Sequence, residues 1–181
     1  MKTGVSPDAI TAMGVAIQSG AAYLIVQGDL FAAGVVSIVA AIFDTLDGAV
    51  AKAQNRKSKF GALLDSTTDR LSDALFFLPL VWLYGIRPVD GKQEDLWIAG
   101  LAMAGLVLSF LVSYVKARAE GLGFECTVGI AERAERLVIM IIGLLFEVVL
   151  PALVVLTVLS FITFFQRLFH VRKQASLRAA A

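Results

Sequence analysis

The sequence predicts an all-α integral membrane protein with six spanning helices. Three observations lead there. Hydrophobic residues make up 58% of the 181 and charged residues 17%, against about 45–50% and 25% in soluble domains; mean hydropathy is +0.79. A soluble chain of this size has too small a core to hide that much apolar surface. Six apolar segments of about 20 residues, each ~30 Å long as a helix, follow one another along the chain. Basic residues then gather in alternate connections.

The segments run approximately over 8–27, 30–51, 61–84, 95–117, 132–149 and 151–169. Ser6, Pro7 and Asp8 start the first, with proline just inside the helix. Gly28 and Asp29 make a tight turn to the second. The third has an acidic half and then an apolar run from Ala74 to Tyr84. A polar loop from Gly85 to Asp95 precedes the fourth, and a glycine-punctuated stretch from Gly121 to Gly129 precedes the fifth. Pro151 marks the last turn. No secretory-signal pattern stands before the first span, which is expected to remain as an anchor. Without an internal repeat or low-complexity segment, residues 1–181 are expected to form a single membrane-embedded domain.

Fourteen basic residues fall on one side: Lys2, Lys52, Arg56, Lys57, Lys59, Arg70, Lys116, Arg118, Arg133, Arg136, Arg167, Arg172, Lys173 and Arg178. Only Arg87 and Lys92 fall on the other. Cytoplasmic loops carry the Lys/Arg excess, so both termini are expected in the cytoplasm, as an even number of spans also requires. One cysteine excludes a disulfide framework, and a single histidine beside it excludes the usual Cys/His zinc arrangements. A net charge of +1 gives no indication of nucleic-acid binding.

The chemistry lies in four aspartates. Asp44 and Asp47 are three residues apart at the cytoplasmic end of the second helix; Asp65 and Asp69 are four apart at the start of the third. Each spacing puts the pair on one helix face. A loop of about nine residues turns the helices antiparallel, so the four carboxylates can converge near the membrane boundary. Like charges there would not stay ionised without neutralisation. Hard divalent cations such as Mg²⁺ or Mn²⁺ supply it through oxygen ligands. Gly48 and Gly61 sit one turn from the acids, inside helices where glycine costs ~1 kcal/mol relative to alanine. Either a ligand or a neighbouring helix approaching the backbone explains them.

The pattern Asp44-x₂-Asp47-Gly48-x₂-Ala51-Lys52-x₈-Gly61-x₃-Asp65-x₃-Asp69 resembles the signature of the CDP-alcohol phosphotransferases, and every spacing matches. The family usually has arginine at position 52; lysine keeps the charge but loses the bidentate fork. The resemblance implies a CDP-alcohol phosphotransferase-like fold of six membrane helices, commonly dimeric, acting on a CDP-linked lipid. It also implies that Asp44, Asp47 and Asp65, helped by Asp69, hold two metal ions. Asp69 would be the base for the acceptor hydroxyl. Gly48, Ala51 and Gly61 would line the nucleotide beside Lys52. Asp8 and Thr11 stand where the family makes a further nucleotide contact, although helix capping explains Asp8 equally well.

A second, cationic group needs an explanation. Lys116 and Arg118 end the fourth span, Arg133 and Arg136 open the fifth, and Arg167 nears the end of the sixth. Lys and Arg at helix ends commonly snorkel. Arg133 and Arg136, however, occupy a helix N-terminus, where the macrodipole disfavours cations and calls for an anion. Glu132 and Glu135 could answer in part; an acceptor phosphate would answer better. Residues 113–120, 132–137 and 166–168, with 65–73, resemble the bacterial phosphatidylinositol phosphate synthases. Those enzymes join CDP-diacylglycerol to inositol 1-phosphate and release CMP. Ala134 replaces a proline common in that group, and the amphipathic helix usual before the first span is expected to be short or absent.

Phosphatidylglycerolphosphate synthesis from glycerol 3-phosphate would want the same cationic pocket. A divalent-cation transporter would instead place acids near the midplane within a symmetric repeat. Cys126 and His170 read as incidental. Asp73 fits either a site-supporting or a helix-packing acid, and Trp82, Tyr84 and Trp97 read as an outer aromatic belt.

Overall fold

The computed structural model describes residues 7–53, 59–86 and 95–179, with side chains over 9–46, 59–86 and 95–179. The described residues form six α-helices and a π-helical turn, with no strand among them. The helices are α1 (Pro7–Gln27), α2 (Leu30–Ala53), α3 (Lys59–Val81), α4 (Leu96–Gly121), α5 (Arg133–Leu145) and α6 (Val149–Ala179); the π turn (Trp82–Ile86) follows α3. Helix number and order agree with the sequence expectation.

Local chemistry explains the helix ends. Gly28, at φ 82°, closes α1: its N–H donates to Ile25 O and that of Asp29 to Leu24 O, satisfying the last carbonyls. Asp29 then caps α2 through Oδ1, 3.1 Å from Ala32 N. Asp95 does the same for α4, accepting from Trp97 N and Ile98 N at 3.0 and 3.2 Å. Pro79 is buried within α3 and removes one backbone donor. The π turn that follows was not foreseen. It turns Tyr84 into the core, 9% exposed, while Trp82 and Trp97 face outward at 42% and 81%. The expected aromatic belt therefore loses its tyrosine.

The fifth helix is shorter than expected. It stops at Leu145, and Glu147 takes a left-handed φ of 52°. A Cβ on Gly143 would lie 2.6 Å from Ala152 Cβ, so the α5–α6 hairpin closes on the glycine. Conversely, α6 runs 31 residues, to Ala179, about 47 Å at 1.5 Å per residue. It extends well beyond the expected end at 169.

Among the described residues, α1, α4 and α6 contain stretches long and apolar enough to cross a membrane: Ala9–Gln27, Leu96–Gly121 and Val149–Ala179. The apolar part of α2, Leu30–Leu46, is shorter. Phe31, Val35, Ile38 and Ile42 form an exposed stripe along α2, and Val154, Val155, Val158 and Ile162 another on α6. Lipid suits such surfaces; water does not. Between helices, small residues allow close approach: a Cβ on Gly34 would lie 2.8 Å from Leu145, and one on Gly105 2.7 Å from Phe77.

α1 packs on α2 and α3, α4 on α3 and α6, and α5 on α2 and α6. Ile25, Leu30, Leu80, Leu83, Leu144 and Leu153 form the fully buried core. These residues come from one end of the bundle: the α1–α2 turn, the end of α3 with the π turn, the last turn of α5 and the first turns of α6. The opposite end carries the polar residues.

Candidate active site

At that end, the last described side chains of α2 meet the first half of α3 and the N-terminus of α5. Asp44 projects from α2, Asp65 and Asp69 from α3, and Arg133 from α5. Arg133 Nη1 and Nη2 reach Asp44 Oδ2 and Oδ1 at 2.5 and 3.1 Å, the two-pronged geometry that arginine favours. Nη1 also lies 3.0 Å from Asp69 Oδ1. This contact lacks hydrogen-bond alignment, leaving a buried carboxylate oxygen with no hydrogen-bond partner. Asp65 is exposed on the neighbouring turn. Among the described residues, no group of three or more acidic, histidine or cysteine side chains is close enough to hold a metal. The side chains of Asp8, Asp47, Gly48, Ala51 and Lys52 lie outside the described residues.

The arginines opening α5 find their anions across the bundle. Arg136, 4% exposed, donates from Nη2 to Asp73 Oδ2 at 3.1 Å and from Nη1 to Ala131 O at 3.2 Å. Ser109 Oγ donates to the same Asp73 oxygen, so Asp73 ties α3 to α4 and α5. Glu132 and Glu135 were expected to offset Arg133 and Arg136 in part. Instead Glu132 accepts from Arg167 Nη2 at 3.2 Å, and carboxylates of α2 and α3 serve the two α5 arginines. Spacing along α5 could not show this, because the partners stand on other helices.

Arg167 is no snorkelling anchor, being 3% exposed. Its Nη1 donates to Val112 O and its Nε to Val128 O, at 2.8 and 2.9 Å. It thereby joins α4, α6 and the connection that leads to α5. Thr163 Oγ1 accepts from Ala131 N, and Gln174 bonds both N and O of Glu125. Arg178 donates to Gly123 O and lies over the Phe124 ring at 4.6 Å. α6 is thus a strap that holds the connection leading to α5. On α4, Lys116 is half-buried and Arg118 exposed; neither makes an ion pair among the described residues.

A small, partly open pocket lies beside Asp44 and Arg133. α1 supplies Thr11, Gly14 and Gln18, α2 supplies Ala40 and Ala41, and α3 supplies Thr68 and Phe76. Thr11 thus lines the pocket beside Asp44. Gln18 was missed; the signal was an amide alone in an apolar span. Gly61 lies in the first turn of α3.

A model of the family described as CDP-alcohol phosphatidyltransferase matches residues 4–171. The chain belongs to the CDP-alcohol phosphatidyltransferase family. The family enzyme resembles an archaetidylinositol phosphate synthase of Pyrococcus horikoshii, 37% identical across 96% of this chain and 87% of the relative. It also resembles a phosphatidylinositol phosphate synthase of Mycobacteroides abscessus, 38% identical across 95% and 80%. The crystal structure of the Mycobacterium tuberculosis phosphatidylinositol phosphate synthase with CDP-DAG bound superposes with a TM-score of 0.84. Identity is 35%, over 93% of this chain and 87% of that one. The same enzyme in complex with manganese and citrate gives 0.83 at 35% identity, over 93% and 83%. With its long apolar helices, this phosphatidyltransferase-family chain is a multi-pass membrane protein.

Proposed function

We propose that the protein transfers a phosphatidyl group from CDP-diacylglycerol to inositol 1-phosphate, giving phosphatidylinositol phosphate and CMP. One observation carries the reading. Arg133, proposed to bind the acceptor phosphate, lies 3.0 Å from Asp69, proposed to be the base for the acceptor hydroxyl. An acceptor phosphate held by this arginine brings the rest of the acceptor to the base. Both relatives named above are named for making an inositol phosphate lipid, although on different lipid backbones.

The donor set suits a divalent ion: hard carboxylate oxygens, one of them buried and without a hydrogen bond at Asp69. Asp44, Asp47 and Asp65, with Asp69, would hold Mg²⁺ or Mn²⁺, two ions by family likeness. Bound there, the metal would neutralise the pyrophosphate and the charge on departing CMP. Asp69 takes the proton from the acceptor hydroxyl. That oxygen bonds to the lipid-side phosphorus in line as the bond to CMP breaks. Asp8, Thr11, Gly48, Ala51, Lys52 and Gly61 line the CDP-lipid. Lys116, Arg118, Arg133, Arg136 and Arg167 provide the positive environment of the acceptor phosphate; Arg136 and Arg167 also hold the bundle. The reading includes a homodimer in a bacterial-type cytoplasmic membrane, with the site and both termini towards the cytoplasm, where CDP-lipid and sugar phosphates are made.

The test is CMP release from CDP-diacylglycerol by purified protein, with the lipid product identified by mass. Asp44→Asn, Asp47→Asn and Asp65→Asn should each abolish most turnover. Asp69→Asn should still bind the CDP-lipid while transfer falls ~10²-fold or more. Full CMP release in excess chelator, or near-normal turnover by Asp69→Asn, would overturn these roles.

A further inference from the structure

Gln18 is 2% exposed, and its amide Nε2 is buried with no hydrogen-bond partner. An unpaired amide donor is costly inside an apolar bundle. Gln18 lines the cavity shared with Asp44 and Arg133. Two neighbouring donors on that wall are committed: Thr68 Oγ1 bonds Leu64 O and Asp65 O, and Arg133 binds Asp44. The depth of the amide is fixed by the α1–α2 contact. Gly14 sits level with Ala40 and Asp44, where an added Cβ would be 3.8 Å from Ala40 O and 3.9 Å from Asp44 N. Gln18, four residues further along α1, lies about 6 Å deeper. The walls around it are apolar, including Val15, Ala40 and Phe76.

In a diacylglycerol nucleotide the ester carbonyls lie a few bonds from the phosphorus, on the acyl side. A donor one helical turn below the carboxylate site is at their level. We propose that Gln18 recognises the ester linkage of the lipid donor by donating its amide N–H to a glycerol ester carbonyl, making it a determinant of ester over ether lipid. This rests on the CDP-lipid reading above. An ether oxygen is a much poorer acceptor than a carbonyl.

The experiment compares CDP-diacylglycerol with CDP-dialkylglycerol of matched chain length and stereochemistry in wild type, Gln18→Leu and Gln18→Met. Wild type should show a KM roughly three- to tenfold lower for the ester donor, the worth of one neutral hydrogen bond. Both variants should bring that ratio to about one, while kcat and inhibition by CMP stay within about twofold. In wild type alone, ester-carbonyl-labelled CDP-diacylglycerol should show a lowered carbonyl stretching frequency on binding, which serves if neither variant folds. A wild-type ratio near one, an ester preference kept by folded variants, or an unshifted carbonyl band would overturn the assignment. Absence of CMP release from either donor with every acceptor would instead defeat the functional reading, and the binding spectrum separates the two failures.

Discussion

Arg133 grips Asp44 with both terminal guanidinium nitrogens, at 2.5 and 3.1 Å, while its Nη1 stands 3.0 Å from Asp69. A cation at the N-terminus of α5 therefore neutralises carboxylates in the second half of α2 and the first half of α3. The helix dipole that opposes Arg133 at its own helix is offset by anions from the neighbours. On the proposed reading, metal and acceptor phosphate divide this pair between them: the ion takes Asp44 and the phosphate takes Arg133.

Removing the arginine should therefore act in opposite directions on the two ligands. Arg133→Ala should bind Mn²⁺ several-fold more tightly in calorimetry without acceptor, since the competing cation is gone. The same variant should raise the acceptor KM by at least ~10-fold, the loss of a charge-assisted bond. Unchanged metal affinity would mean that the ion pair does not compete.

Arg136 should behave differently, because its partners are structural. Arg136 and Asp73 are 4% and 14% exposed at the side chain. Breaking a buried pair from one side costs about 3–5 kcal/mol. Arg136→Ala should lower the thermal unfolding midpoint in detergent markedly. The double variant Arg136→Ala/Asp73→Ala should lose clearly less than the sum of the singles.

The α6 strap should be visible in hydrogen exchange. Arg167 joins Val112 O, Val128 O and Glu132. Arg167→Met should speed exchange across residues 122–132 and leave the core turn at residues 24–33 unchanged. Equal protection in both proteins would show that the strap adds nothing to the order of the connection.

Orientation can be read without first removing the natural thiol. Cys126 is wholly buried, and burial pushes its thiol pKa upward, so less thiolate is available to react. Wild type should resist maleimide at neutral pH. Lys173→Cys should label only after the cytoplasmic face is opened, and Gly91→Cys in intact cells. The reverse pattern would place the acids outside, away from their substrates.

Several parts of this arrangement were legible in the sequence. The Gly28–Asp29 turn follows from local chemistry, and six apolar periods give six helices. The spacing of Asp65 and Asp69 set them on one face of α3, and the signature spacing identified the family. Illegible were relationships between helices: Arg133 with Asp44, Arg136 with Asp73 and Ser109, Arg167 with Glu132. Periodicity tells which face a side chain occupies, not which neighbour meets it. The early end of α5 was hidden for another reason. Residues 146–150 are mostly apolar and fit a helix, whereas the turn depends on Glu147 adopting a left-handed backbone that composition does not favour.

The central claim is that a phosphorylated acceptor is held beside Asp69. Its most direct test is the ratio of kcat/KM for inositol 1-phosphate to that for free inositol, with CDP-diacylglycerol as donor and glycerol 3-phosphate as competitor. Loss of several charge-assisted hydrogen bonds predicts a ratio well above ~10³, with inositol 1-phosphate also used in preference to glycerol 3-phosphate. Comparable use of free inositol, or a clear preference for glycerol 3-phosphate, would contradict the account.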